Sequence, residues 1–159
     1  MKSELTKEHE WLSKLVGEWT WETTAEMDPA KGPETFRGTE SVRSLGGTWL
    51  VLEGTGDEPG GKAHTNIMTL GYDPNRGKFV GTFVSSAMPY LWTYEGSLDE
   101  SGTKLVLDCE GPSFENVGQM AQYKDTVEII GGDRRALSST FLAGDGTWKP
   151  VMRMDYRRA

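Results

Sequence analysis

The chain changes its hydrophobic rhythm once, and early. Leu5, Trp11, Leu12, Leu15 and Val16 fall close to one face of a 3.6-residue period, while Lys7, Glu8, Glu10 and Lys14 fall elsewhere. This spacing predicts an amphipathic helix over about 6–16, with Thr6 as N-cap and Gly17 as its stop. Glu8 and Glu10 sit in the turn where the helix dipole favours acids. So short a helix is not stable alone, and its apolar face must rest on something. From Gly17 the period becomes two. Trp19, Trp21, Thr23, Ala25 and Met27 alternate with Glu18, Thr20, Glu22, Thr24 and Glu26, so the first set is expected to face a core and the second water.

Turn signals punctuate the rest at intervals of roughly 10 to 15 residues. They are Asp28-Pro29-Ala30-Lys31-Gly32-Pro33, Gly46-Gly47, Asp57-Glu58-Pro59-Gly60-Gly61, Asp73-Pro74-Asn75-Arg76-Gly77, Asp99-Glu100-Ser101-Gly102, Gly131-Gly132-Asp133 and Gly144-Asp145-Gly146. Between them lie strand-like segments near 35–45, 48–56, 63–72, 78–87, 90–98, 103–110, 120–130, 135–143 and 147–157, which with the first strand make about ten. Loops this short join neighbouring antiparallel strands, so the simplest topology is a meander. A long meander of amphipathic strands is best relieved of its edges by closing. The expectation is an all-β, antiparallel up-and-down barrel in one domain over 1–159, with the helix at about 6–16 and the barrel at about 17–158. A lumen ringed by about ten strands is wider than side chains readily fill. Residues 111–119 form the longest irregular piece and are read as an ordinary connection, with a lid over the barrel mouth as the alternative.

Alternation also sorts residues onto faces. Phe36, Gly38, Glu40 and Val42 share one face, which places Glu40 among apolar neighbours. His64 and Asn66 share a face with Met68, Leu70 and Tyr72. Trp92, Tyr94, Gly96 and Leu98 form an inward set, as do Trp148, Met152, Met154 and Tyr156. Around Glu53 two registers compete, one burying Trp49 and Val51, the other Leu50 and Leu52.

Composition supports this picture and narrows the function. The 159 residues include 20 Gly and 6 Trp, a combination suited to tight turns joining strands. The net charge of −7 argues against nucleic acid, which calls for clustered Lys and Arg. Arg157-Arg158 is read as a solvated tail. No run approaches the ~20 apolar residues of a membrane-spanning helix, and Met1-Lys2-Ser3-Glu4-Leu5 leads into a charged segment without a signal-peptide core. The one cysteine, Cys109, cannot form an internal disulfide, which suggests a reducing, cytoplasmic setting.

Catalytic signatures are missing. There is no P-loop, no Gly-x-Ser-x-Gly elbow and no His-Glu-x-x-His; Gly54-Thr55-Gly56 lacks the third glycine of a dinucleotide fingerprint. Two histidines and one cysteine exclude a three-histidine zinc site and any four-ligand Cys/His site. A carboxylate-rich cation site stays open, but no EF-hand spacing supports one, and no metal or cofactor is expected. Glu40 and His64 remain as inward polar groups. A buried carboxylate needs a partner or a raised pKa, so Glu40 either pairs with an internal Arg or Tyr, anchors a ligand, or acts as an acid or base. His64 is read as an ordinary hydrogen-bonded residue, with a general base or haem ligand as alternatives.

One set of motifs runs in order along nearly the whole chain: His9-x-Trp11-Leu12-x-x-Leu15-Val16-Gly17-x-Trp19, Gly46-Gly47-x-Trp49 with Glu53, Met68-x-x-Gly71-Tyr72-Asp73, Gly81-Thr82, Trp92-x-Tyr94-x-Gly96-x-Leu98 and Tyr156-Arg157-Arg158. In these the sequence resembles a bacterial family, the domain of unknown function 1579. The resemblance implies a lipocalin-like, calycin-type barrel with a short N-terminal helix, and brings no catalytic set. Gly17-Glu18-Trp19 also looks like the opening of lipocalin-type barrels, whose first-strand tryptophan packs across the closed end. Haem-binding nitrobindin barrels have a related shape. Their Gly-x-Trp-x-Gly-x-Gly opening is absent here, with Thr20, Trp21 and Thr23 in that stretch, so the resemblance carries no haem site.

The leading expectation is a barrel that binds a small, largely apolar molecule. Its candidate walls are Trp21, Phe36, Met68, Phe83, Trp92, Tyr94, Phe141, Met152 and Tyr156, with Glu40, His64 and Asn66 orienting any polar group. One alternative is an isomerase or hydrolase using Glu40 or His64 as a base. Another is a homodimerising module whose lumen is empty, which outward Val80, Val84 or Ile129 would favour.

Overall fold

In the computed structural model, which describes residues 4–26, 28–57 and 61–159, the two periods become one short helix and ten strands. Met27 and the Glu58-Pro59-Gly60 part of one expected turn lie outside the described residues, as do Met1, Lys2 and Ser3. Helix α1 (Lys7–Ser13) starts behind Thr6, whose backbone N–H donates to His9 Nδ1 at 3.0 Å. It ends earlier than the expected 6–16. Leu15 and Val16 bond back to Leu12 and Ser13, three residues behind them, so the last turn tightens before Gly17. Trp11, Leu12 and Leu15 are buried, but Leu5 is exposed: it precedes the helix and lies over Gly47 at the surface.

The strands are β1 (Gly17–Ala25), β2 (Glu34–Leu45), β3 (Trp49–Asp57), β4 (Ala63–Asp73), β5 (Lys78–Ser85), β6 (Met88–Leu98), β7 (Lys104–Pro112), β8 (Met120–Ile129), β9 (Arg134–Leu142) and β10 (Trp148–Arg158). Each pairs antiparallel with the next, and β10 returns to β1 through Trp19↔Arg158 and Trp21↔Tyr156, closing an up-and-down barrel. Closure gives every strand a neighbour on both sides.

One end of the barrel is plugged. Helix α1 lies against β3 and β4 there, with the Trp11 ring on Phe79 (centroids 6.1 Å) and Trp11 Nε1 donating to the Gly102 carbonyl at 2.7 Å. Leu70, Leu105 and Leu107 fill the interior behind it with no exposed surface. Trp19 lies across this end, its Nε1 donating to the Leu15 carbonyl at 2.8 Å. Arg158 is no solvated tail: its guanidinium donates to the carbonyls of Lys14, Val16 and Gly132 at 2.7–2.8 Å and stacks 4.3 Å from the Trp19 ring. It thereby satisfies carbonyls that the end of α1 leaves open.

The competing registers in β3 resolve in favour of Leu50 and Leu52, which are buried, while Trp49 and Glu53 face out. The same face continues through Gly54 and Gly56, and these glycines decide what the lumen can hold. A Cβ on Gly38 or Gly56 would collide with the indole of Trp21; one on Gly111 would collide with Trp92, and one on Gly71 with Trp49 outside the barrel. Three large rings therefore lie on strand glycines. Gly56→Ala is expected to cost about 1–3 kcal/mol by overpacking, read as a lower urea midpoint together with altered near-ultraviolet dichroism from Trp21. An unchanged midpoint would contradict the contact.

One face assignment changes. Trp148 does not point inward: it is 42% exposed and carries Lys124 Nζ 5.0 Å from its ring. The cause is a bulge in β10, where Pro150 pairs with Thr140 but Met152 with Ser139, so Val151 is an extra residue and the alternation reverses across it. Of the three residues whose outward exposure would favour dimerisation, Ile129 packs against the core. Val80 is half-buried and Val84 is 42% exposed. No described helix is long and apolar enough to cross a membrane.

Candidate functional site

Above the plug the barrel is not filled. A cavity of about 400 Å³ opens toward the end marked by Ala25, Asp57, Ser85 and Val151. Ten strands enclose more width than their inward side chains occupy. Inward glycines widen it further, since Gly38, Gly54 and Gly56 leave their share of the interior to Trp21 and Asn66.

Eleven of the twelve lumen candidates line this cavity: Trp21, Phe36, Glu40, His64, Asn66, Met68, Phe83, Trp92, Tyr94, Met152 and Tyr156. Glu40 and Tyr156 stand toward its closed end, beside Arg135 and Trp19. Phe141 does not line it. Its ring is half-buried beside Tyr123, with centroids 6.4 Å apart. The irregular segment after β7 contributes Phe114, which lies edge-on to Tyr123 (5.8 Å) and also lines the cavity while remaining 65% exposed. Tyr123 in turn meets the edge of Trp92 at 5.1 Å, so the wall on this side is a chain of aromatic rings.

Besides His64 and Asn66, two clusters of paired polar side chains interrupt the apolar wall. At the deep end Arg135 Nη2 donates to Glu40 Oε1 within a pair whose side chains are 3% and 8% exposed. The Arg135 guanidinium is held flat, 3.8 Å from the Tyr156 ring and 4.7 Å from that of Trp19. Glu40 thus has the internal arginine partner that its position required, and an ion pair occupies the carboxylate that an acid–base mechanism would use. Burial, and then the Glu40 carboxylate, push the Tyr156 hydroxyl well above the usual phenol range, with Arg135 opposing.

The second group was not anticipated. Asp125 accepts a hydrogen bond from the Tyr94 hydroxyl at 2.7 Å and another from Ser139, its cross-strand neighbour. Burial raises the Asp125 carboxyl above the ordinary range even though both hydroxyls favour its ionised form. Burial also raises Tyr94, reinforced by Asp125, and pushes the Cys109 thiol up to about 12. Cys109 is therefore no nucleophile near neutral pH. Asp125, Arg135 and Ser139 were missed because the faces of β8 and β9 had not been assigned. The signal was present: Tyr123, Asp125 and Val127 alternate on one face, and Arg135, Leu137 and Ser139 on another.

The raised carboxyl fixes the sign of a pH effect. Between the unfolded value and the raised folded value, the native state binds more protons than the unfolded chain, so Asp125 lowers stability as pH rises through that window. Asp125→Asn removes this penalty and keeps an oxygen acceptor. Its urea midpoint relative to the natural protein is expected to rise from about pH 4 to about pH 7; a constant difference would refute the assignment. Among the described residues no three His, Cys, Asp or Glu side chains are grouped to hold a metal ion.

A closed ten-strand barrel with an open lumen is thus the class of protein defined by the fold. The chain belongs to the family described as "Protein of unknown function (DUF1579)", whose model matches residues 4–158. The solved structure described as "Crystal Structure of Rv2717c from M. tuberculosis" is similar over 98% of this chain and 99% of its own, with a TM-score of 0.65 at 14% identity. A redesigned β-barrel, b11L5F_LGL, aligns over 92% of this chain and 93% of its own with a TM-score of 0.46 at 13% identity. No curated protein matches the chain. At these identities the likeness to the first structure concerns the fold alone.

Proposed function

We propose that the protein binds a small, largely apolar molecule in the barrel lumen. The observation that carries this reading is the cavity of about 400 Å³, open at one end and walled mainly by aromatic and aliphatic side chains. That volume is within the range of small-molecule sites, and the site shares their pattern of an apolar wall with a few fixed polar groups. The Glu40–Arg135 pair supports binding over acid–base chemistry by Glu40, because each charge already has its partner. Cys109 is buried and outside any disulfide, which accords with a reducing, cytoplasmic compartment.

Trp21 and Trp92 line the lumen, so occupancy is readable by intrinsic fluorescence. Titration with medium-chain alcohols, amines and carboxylates is expected to give saturable quenching, with one molecule per chain by native mass spectrometry. Leu52→Trp, which places a large ring inside the cavity, is expected to abolish it. Absence of saturable binding across all three series would overturn the proposal.

A further inference from the structure

We infer that the lumen selects an apolar molecule carrying a protonated amine, and that Asp125 is the group on which the ammonium docks. This rests on the reading that the lumen is a binding site, and it specifies the chemistry of the occupant.

The two deep carboxylates of the cavity are treated differently by the fold. Glu40 is matched by Arg135. Asp125 has two neutral hydroxyl donors, from Tyr94 and Ser139, and no ion pair with any described residue. Its sequence neighbour Lys124 is turned to the outside, where its Nζ bonds Asp108 at 2.7 Å. A carboxylate accepts roughly four hydrogen bonds, so two hydroxyls leave acceptor capacity on a group that lines the cavity.

The walls around Asp125 fit the same occupant. Tyr123 stands two residues before Asp125 on β8, Trp92 and Tyr94 stand on β6 beyond β7, and Trp92 and Tyr123 meet edge to face. Aromatic faces attract ammonium groups through the ring quadrupole, most strongly where water is excluded. An N⁺–H donor to a carboxylate makes a stronger bond than a neutral hydroxyl does. Acidic ligands meet the opposite field. Among the described lining residues the acids are Glu40, Asp57 and Asp125, and the basic side chains are His64 and Arg135, the latter engaged by Glu40. A ligand carboxylate would face Asp125 and find of Arg135 only the unpaired Nε–H, on a guanidinium whose charge Glu40 already balances.

The test compares three probes of one shape: n-octylamine, 1-octanol and octanoate, titrated near neutral pH by tryptophan quenching and calorimetry. n-Octylamine is expected to bind at least about tenfold more tightly than octanoate, with 1-octanol between them. Asp125→Asn is expected to weaken n-octylamine about tenfold and to leave 1-octanol within about twofold. Equal affinities for the three, or tighter octanoate binding, would overturn the ammonium preference while leaving the lumen reading intact. Failure of all three to bind would overturn the lumen reading itself. Should Asp125→Asn not fold, the ratio of n-octylamine to octanoate in the natural protein decides the question alone.

Discussion

Arg135→Ala is expected to destabilise the barrel by about 3–5 kcal/mol, because it leaves a carboxylate buried without its cation. Glu40 and Arg135 are both nearly inaccessible and meet across the deep end of the lumen. The truncation also removes a guanidinium stacked between Tyr156 and Trp19. A domain has only about 5–15 kcal/mol in total, so this single change brings the protein close to unfolding at ambient temperature. Replacing both partners, as in Glu40→Leu with Arg135→Met, is expected to recover most of the loss, since the buried charge disappears along with its partner. Urea denaturation of the single and the double variant checks this. A single-variant loss under about 1 kcal/mol, or a double variant no better than the single, would refute it. The exposed pairs Arg37–Glu22, Arg76–Glu95 and Arg153–Asp155 serve as controls. Breaking any of them is expected to change stability by less than about 1 kcal/mol.

Trp19→Ala is expected to cost a similar 3–5 kcal/mol, but by a different route. Here the loss is packing: the indole is 2% exposed and flanked by Arg135 at 4.7 Å and Arg158 at 4.3 Å. Its Nε1 also holds the Leu15 carbonyl, so removal loosens the link between α1 and the barrel floor. Hydrogen exchange over residues 4–16 is therefore expected to rise together with the fall in urea midpoint. Trp19→Phe should restore much of the packing but not the protection of that segment. If exchange there is unchanged in Trp19→Ala, the ring does not tie the helix down.

The barrel itself was legible because its strands are regular. In β1 and β6 the period of two runs unbroken, and in β4 it holds as far as Leu70, so Trp19, Trp21, Met68, Leu70, Trp92 and Tyr94 are inside as expected. The errors trace to places where period and neighbourhood diverge. Trp148 follows the alternation of Met152 and Met154 in sequence but is separated from them by the bulge at Val151; Pro150, which cannot donate to a ladder, was the available warning. In β3 four consecutive bulky residues, Trp49 to Leu52, allow either register, and only the glycines beyond them and the ring of Trp21 break the tie. Arg158 looked like tail because its three acceptors are the carbonyls of Lys14, Val16 and Gly132, up to 144 residues away in the chain. Half of the candidate site was readable from Glu40, His64 and Asn66. The other half required knowing that β8 and β9 bring Asp125 and Ser139 face to face with Tyr94.

The pairing of β1 with β10 has a kinetic consequence. Every other strand contact joins neighbours in sequence, but closure waits for Tyr156 and Arg158 to meet Trp21 and Trp19. Until then the sheet has two open edges, β1 and β9, and its floor lacks Arg158. Contacts of such long sequence separation form slowly, and unpaired edges are where a partly folded chain finds wrong partners. The last strand therefore decides both when the barrel becomes a barrel and how long the growing sheet is exposed to association. Synthesis that stalls before residue 156 will leave an open sheet rather than a smaller version of the finished fold.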